Sequence, residues 1–173
     1  MGGKGKKDII FLVDDDSIYL RSIEYYFKQK LGTRFNIFSF LSGEECINNL
    51  HLKPTIIVLD YYLDGTRKEA INGLEVLKTI KSGRYNTNVL MLSISDSLEI
   101  ANNCIGAGAY DFVIKSETAL IKAHNIIENI YKETIIKRRL KSQKLLYLII
   151  ISVLILLYIS LYIIHKNSPY LFD

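Results

Sequence analysis

Twenty consecutive residues without a charge, 145–164 (LLYLIIISVLILLYISLYII), constrain this chain of 173 residues more than any other feature. Only Ser152 and Ser160 among them are conventionally polar. At about 1.5 Å per residue, a helix of that length spans roughly 30 Å, the thickness of a bilayer's hydrocarbon core. Helices buried in soluble domains are rarely apolar on every face for so long. Tyr147, Tyr158 and Tyr162 lie toward the two ends, where an amphipathic ring suits the headgroup level. The segment is expected to be a transmembrane helix rather than a buried core helix.

The flanking charges orient it. Residues 132–144 (KETIIKRRLKSQK) hold six basic side chains against one acid, whereas HKNSPYLFD beyond the span offers Lys166 and Asp173. The positive-inside rule then predicts a single-pass protein with its N-terminal body in the cytoplasm. The basic run also suits anionic headgroups. Residues 1–131 carry 15 basic and 16 acidic side chains, and residues 132–173 carry 7 and 2. The overall charge of +4 therefore belongs to the tail, which excludes the body as a nucleic-acid-binding surface in bulk. The layout expected is a flexible basic N-terminus (1–7), a folded body (8–131), a basic juxtamembrane helix (132–144), the span (145–164) and a short tail (165–173).

No signal peptide is expected. MGGKGKK is basic, but the apolar run after it, Ile9–Val13, has only five residues. Gly2 opens no myristoylation motif, because position 6 is Lys rather than Ser or Thr. Cys46 and Cys104 are expected as free thiols in a reducing compartment, and neither stands at metal-ligand spacing. With 49% apolar residues, two Pro and two Cys, the composition excludes a disordered chain and a disulfide scaffold.

Within the body, apolar runs alternate with helical periodicity. Asp8–Val13, Phe35–Phe40, Thr55–Leu59, Asn88–Ile94 and Ala109–Ile114 predict strands. Ile18–Phe27 has apolar residues at helical spacing. Ser42 with Glu45 makes a capping box for a helix over 43–50, which Pro54 ends. A third helix over Gly73–Lys81 places Leu74, Leu77 and Ile80 on one face, and a fourth covers 97–107. Uninterrupted apolar strands between amphipathic helices imply parallel pairing with helices on both faces. The fold class is α/β, a doubly wound five-stranded parallel sheet. Neither Gly nor Pro occurs from Ser116 to Ser168, so a long fifth helix is expected to run unbroken into the membrane. Ile126, Ile127, Ile130, Ile135 and Ile136 give it an apolar stripe.

Chemistry collects at the strand ends. In open α/β sheets, ligands bind outside the carboxyl ends of the strands. There the sequence puts Asp14, Asp15 and Asp16 after the first strand, Asp60 after the third, Ser93 at the end of the fourth and Lys115 after the fifth. Packed carboxylates repel one another and are costly to desolvate. A divalent cation relieves both costs, and hard Mg²⁺ favours carboxylates, a carbonyl and waters. Asp60 stands alone at the tip of a central strand, and a carboxylate can attack phosphorus to form an acyl phosphate. The metal and Lys115 then hold the phosphoryl oxygens by position and charge, and Ser93 donates a hydrogen bond. A phosphoryl group adds about −2 charges, enough to draw Ser93 and a neighbouring loop inward. Asp16 reads as the cap of the first helix. His51, His124 and His165 have no acid or nucleophile at triad-like positions and read as surface residues.

FLVDDDS (11–17), IIVLDYYL (56–63), NGLEVLKTIK (72–81), VLMLSIS (89–95) and GAYDFVIKS (108–116) together resemble the response-regulator receiver domain of two-component signalling, over about residues 8–131. The resemblance implies a flavodoxin-like receiver fold. It implies that Asp14 and Asp15 are the acidic metal pair, Asp60 the phosphoacceptor, Ser93 the switch hydroxyl and Lys115 the phosphate-sensing lysine. Phe112 matches the aromatic switch whose ring turns inward on activation, and Tyr62 matches the residue lending a backbone carbonyl to Mg²⁺. The partners implied are a sensor histidine kinase or phosphotransfer protein and a second copy, through the face of the fourth helix, fifth strand and fifth helix. No nucleic acid is implied. Such a chain is a phosphoacceptor with Mg²⁺-dependent self-phosphorylation and self-dephosphorylation, not a turnover enzyme. Three departures from the family pattern stand out. Asp64 replaces the usual Pro, DGTRKEA amounts to an insertion of roughly five residues beside the acceptor, and Ser116 rather than Pro follows Lys115.

Competing classes are weaker. Asp60 with Asp64-Gly65-Thr66 is similar to the acid-rich loop of haloacid-dehalogenase phosphatases, but their second Asp comes two residues after the nucleophile and here it comes four after. A receiver-like docking or dimerisation module without phosphotransfer has no need of five polar groups at the strand ends. No Gly-rich loop follows the first strand, as nucleotide binding requires.

Overall fold

The structure is a computed structural model that describes residues 7–63, 72–83 and 85–167, the last four by backbone alone. Five parallel strands, β1 (Asp8–Val13), β2 (Phe35–Phe40), β3 (Ile56–Asp60), β4 (Asn88–Ser93) and β5 (Asp111–Ile114), form one sheet in the order β2-β1-β3-β4-β5. Between them run α1 (Ser17–Leu31), α2 (Gly43–Asn48), α3 (Gly73–Ser82) and α4 (Leu98–Gly106), with α5 (Ala119–Asn167) last. This is the doubly wound five-stranded parallel α/β fold expected. The strand order reverses between β1 and β3, which makes the gap beyond their carboxyl ends the natural ligand crevice.

The sheet is covered on both faces, so its strands read as apolar runs rather than alternating ones. Every residue of β3 is buried, as are Ile10, Phe11, Leu12 and Val13 of β1. Alternation sends Phe11, Val13, Ile57, Leu59, Val89 and Met91 into one core with Cys46, Val76, Leu77, Ile80 and Cys104. Both cysteines are free and buried, and burial pushes the Cys46 thiol up to about 12. These thiols are core filling.

Local signals act largely as read. Asp16 caps α1, its Oδ1 accepting from the Ile18 and Tyr19 N–H groups at 2.8 and 3.1 Å. Ser42 caps α2, accepting from Glu45 N at 3.2 Å. The Glu45 carboxylate reaches back to Leu41 N, one residue before the cap. Other details differ. α2 stops at Asn48, because Asn49 caps it by donating from Nδ2 to Glu45 O at 2.8 Å, and a 3-10 turn over Leu50–Leu52 follows. α3 buries Val76 with Leu77 and Ile80, whereas Leu74 is only partly buried.

The chain divides into two units, the first ending at Ile130 and the second beginning at Tyr131. In the first, α5 buries Ala119, Ala123, Ile127 and Ile130. In the second, α5 is a helix long and apolar enough to cross a membrane, with the side chains from Leu145 to Ile163 exposed. Ser152 satisfies its hydroxyl within that helix, donating to Ile149 O at 2.7 Å.

Candidate functional site

Register brings the acids together. Val13 pairs with Leu59 across β1 and β3, so the residues that follow, Asp14 and Asp60, emerge at one level. Both are buried, at 1% and 3% exposure, while Asp15 is exposed. Asp14, Asp15 and Asp60 each offer a carboxylate oxygen within 4.8 Å of the others. Lys115 arrives from β5, where its N–H continues the ladder by donating to Ser93 O at 2.7 Å. Its Nζ lies 2.8 Å from Asp14 Oδ2 and 2.8 Å from Asp60 Oδ2. Ser116 in place of a proline does not take the lysine out of the pocket.

The charges are unbalanced. Burial pushes the Asp60 carboxyl up to about 6, against the lowering effect of the Lys115 hydrogen bond and charge, and neighbouring Asp14 raises it further. Asp14 is raised too, chiefly by burial. Burial also works against the Lys115 ammonium, but its contacts to Asp14 and Asp60 together outweigh that and hold it above the ordinary lysine range. One ammonium is therefore shared by two buried carboxylates. Asp60 Oδ1 is left buried with no hydrogen-bond partner among the described residues, a costly state for an acceptor. Three converging carboxylates and an orphaned oxygen fit a hard divalent cation such as Mg²⁺.

The other predicted residues stand around this centre. Ser93 is fully buried at the end of β4, its Oγ accepting from Ser95 N at 3.0 Å. Tyr62, just past β3, is half-buried with its ring edge-on to Tyr61 at 4.9 Å. Phe112 is half-buried on β5, paired in register with Met91, and helps line a cavity of about 420 Å³ between β5 and the Lys122–Ile126 stretch of α5. The insertion at Asp64–Ala70 lies outside the described residues.

Two contributors carry no signal in periodicity. Tyr19 places its ring 4.6 Å from Lys115 Nζ, and burial raises its phenol above the ordinary range. Gly73 opens α3 against the end of β3. A Cβ there would stand 2.0 Å from the Asp60 carbonyl oxygen, and the Gly73 N–H donates to Tyr61 O at 2.9 Å. An Asn-Gly pair beginning a helix after a buried strand is the one hint of that close approach. The histidines need a correction. His51 is exposed, but His124 is half-buried edge-on to Tyr26, because it adjoins the buried Ala123 on α5. The His165 side chain lies outside the described residues.

A family model described as the response regulator receiver domain matches residues 10–125. The chain belongs to the response regulator receiver family. Curated relatives of this receiver include the cell cycle response regulator CtrA of Brucella ovis and of Brucella abortus. Each is 30% identical over 122 residues, which is 68% of this chain and 49% of the relative. The chain thus spans about half the length of those relatives. Among solved structures, the receiver domain of the Francisella response regulator 1452 is 21% identical with a TM-score of 0.63, over 74% of this chain and 99% of that one. The BeF3-activated DrrB receiver domain, from Thermotoga maritima, is 28% identical with a TM-score of 0.56, over 71% and 99%.

Proposed function

We propose that this receiver is anchored in a membrane and that Asp60 accepts a phosphoryl group from a sensor histidine kinase or a phosphotransfer protein, passing the signal on by a change of shape. The observation that carries the reading is Lys115, bridging Asp14 and Asp60 at 2.8 Å each beside a buried Asp60 oxygen with no hydrogen-bond partner among the described residues.

With a carboxyl near 6, Asp60 is ionised at neutral pH and its carboxylate is available as the nucleophile. As the new oxygen–phosphorus bond forms, the donor's nitrogen–phosphorus bond breaks and the electron pair returns to the imidazole. Lys115 then exchanges its contact with Asp60 for one with a phosphoryl oxygen. Ser93 accepts a hydrogen bond in the resting site, which leaves its own O–H to turn toward the phosphoryl group. Phe112 borders a cavity into which neighbouring side chains can shift. Asp14, Asp15, Asp60 and the Tyr62 carbonyl are the residues that would hold Mg²⁺, which supplies charge neutralisation for the transferring phosphoryl oxygens.

Output is expected on the surface of α4, β5 and α5. Leu98, Ile105, Ile114 and Ile121 are exposed there, an apolar set suited to a second copy. The DrrB receiver domain, similar at 28% identity, is described as BeF3-activated, which supports an activatable site. The uncharged helix at 145–164 and the basic residues before it support the anchor, and tethering would raise the effective concentration toward a membrane-bound kinase.

The full chain in detergent, given acetyl phosphate and Mg²⁺, is expected to gain the mass of one phosphoryl group in a hydroxylamine-labile bond. No gain, or an equal gain in EDTA, overturns the phosphoacceptor reading. The expressed chain is expected to sediment with membranes and to need detergent for release. Recovery in the soluble fraction without detergent removes the anchor.

A further inference from the structure

Lys115 is held on more sides than its two carboxylates. Beyond Asp14 and Asp60, the ring of Tyr19 lies with its centroid 4.6 Å from Nζ, and only 14% of the lysine side chain is exposed. Tyr19 is the third residue of α1, and its own N–H donates to the capping carboxylate of Asp16, so the cap that starts the helix also fixes where the ring stands. Tyr19 is half-buried and is not one of the core residues of its helix. The buried stripe of α1 is Leu20, Ile23, Phe27 and Leu31, and Tyr19 lies off it.

We infer that Tyr19 is a positioning residue for phosphoryl uptake at Asp60, its ring keeping the Lys115 ammonium turned into the pocket. The inference rests on the functional reading above. A lysine ends in a flexible four-carbon stem that loses its reach when free to wander into solvent. An aromatic face attracts the ammonium without adding a formal negative charge or a strong directional acceptor. That distinction matters in this site. During transfer the ammonium must leave Asp60 for a phosphoryl oxygen, and a third carboxylate in place of Tyr19 would hold it back. The ring restrains Lys115 laterally and leaves its N–H groups free to change partner.

The test measures phosphoryl uptake by the full chain in detergent, at saturating acetyl phosphate and Mg²⁺. Tyr19→Leu is expected to slow uptake about five-fold, and Tyr19→Phe, which keeps the ring, to stay within about two-fold of wild type. Tyr19→Met, apolar and ringless, is expected to match Tyr19→Leu and serves if the latter misfolds. Calorimetric titration with MgCl₂ is expected to give the same affinity in all of these. In a Lys115→Gln background, Tyr19→Leu is expected to slow uptake no further. Wild-type rates in both ringless variants overturn the inference. So does an equal fall in Tyr19→Phe, a parallel loss of Mg²⁺ affinity, or a full additional loss without Lys115. A wild type that gains no phosphoryl group overturns the functional reading as well. A labelled wild type with unaffected ringless variants overturns only the role of Tyr19.

Discussion

Asp60→Asn is expected to take up no phosphoryl group and, without divalent ions, to be more stable than wild type at pH 7. The amide cannot act as the nucleophile, so labelling by acetyl phosphate falls to background. The stability gain follows from linkage. The Asp60 carboxyl ordinarily titrates at 3.8 but near 6 in the folded protein, chiefly through burial. Between those values the folded state holds a proton that the unfolded state has released. Stability therefore falls as pH rises through that window, and the deficit persists above it. The Asn side chain resembles the protonated carboxyl and avoids the deficit. A shift of this size corresponds to about 3 kcal/mol as an upper bound, and roughly 2 kcal/mol is expected once the weakened contact with Lys115 is counted. Urea unfolding in EDTA measures it. The gain at pH 7 is expected to shrink toward pH 4, and Mg²⁺ is expected to restore the wild type by binding its folded state. Labelling of Asp60→Asn at the wild-type rate sinks the acceptor assignment. A less stable Asp60→Asn at pH 7 in EDTA sinks the electrostatic account of the pocket.

Gly73→Ala carries the second large effect, and its mechanism is steric. The added methyl would stand 2.0 Å from the Asp60 carbonyl oxygen and 2.8 Å from the Tyr61 Cα. Both are backbone atoms at or just past the end of β3, where Asp60 stands, so neither can swing aside as a flexible side chain would. Either the start of α3 lifts from the sheet or the end of β3 moves with its carboxylate. Overpacking of this kind typically costs about 1–3 kcal/mol, and the upper end is expected here. Uptake is expected to fall about a hundred-fold, because a shift of roughly 1 Å in a reacting group is enough for that. Gly106→Ala is the matched control. A Cβ at Gly106 meets nothing within 4 Å, so urea unfolding and uptake are expected to stay near wild type. Normal uptake in Gly73→Ala would show that the approach of α3 to Asp60 does not set the site.

Much of the fold is legible along the chain. The apolar runs of β1 and β2 have the bounds observed, since the first ends abruptly in acids and the second just before the Ser42 cap of α2. Helix bounds are less sharp. Asn49 ends α2 through a side-chain bond that apolar spacing does not report, and Val76 rather than Leu74 completes the buried stripe of α3. Both depend on how a helix is seated against its neighbours. His124 reads as a surface residue because nothing local says that Tyr26, on another helix, packs beside it.

The candidate site divides along the same line. Which residue types stand at the carboxyl ends of the strands was determined by the sequence alone, because each follows an apolar run and the alternation implies that the runs lie parallel. Only the tertiary structure decided that one ammonium serves two carboxylates, that a phenol ring stands beside it, that an Asp60 oxygen finds no partner among the described residues, and that a glycine makes room behind it. Lys115 and Asp14 are 101 positions apart. The spacing of apolar residues reports which face an element buries. It is silent on which polar groups then meet across the sheet, because those distances follow from strand register and helix seating.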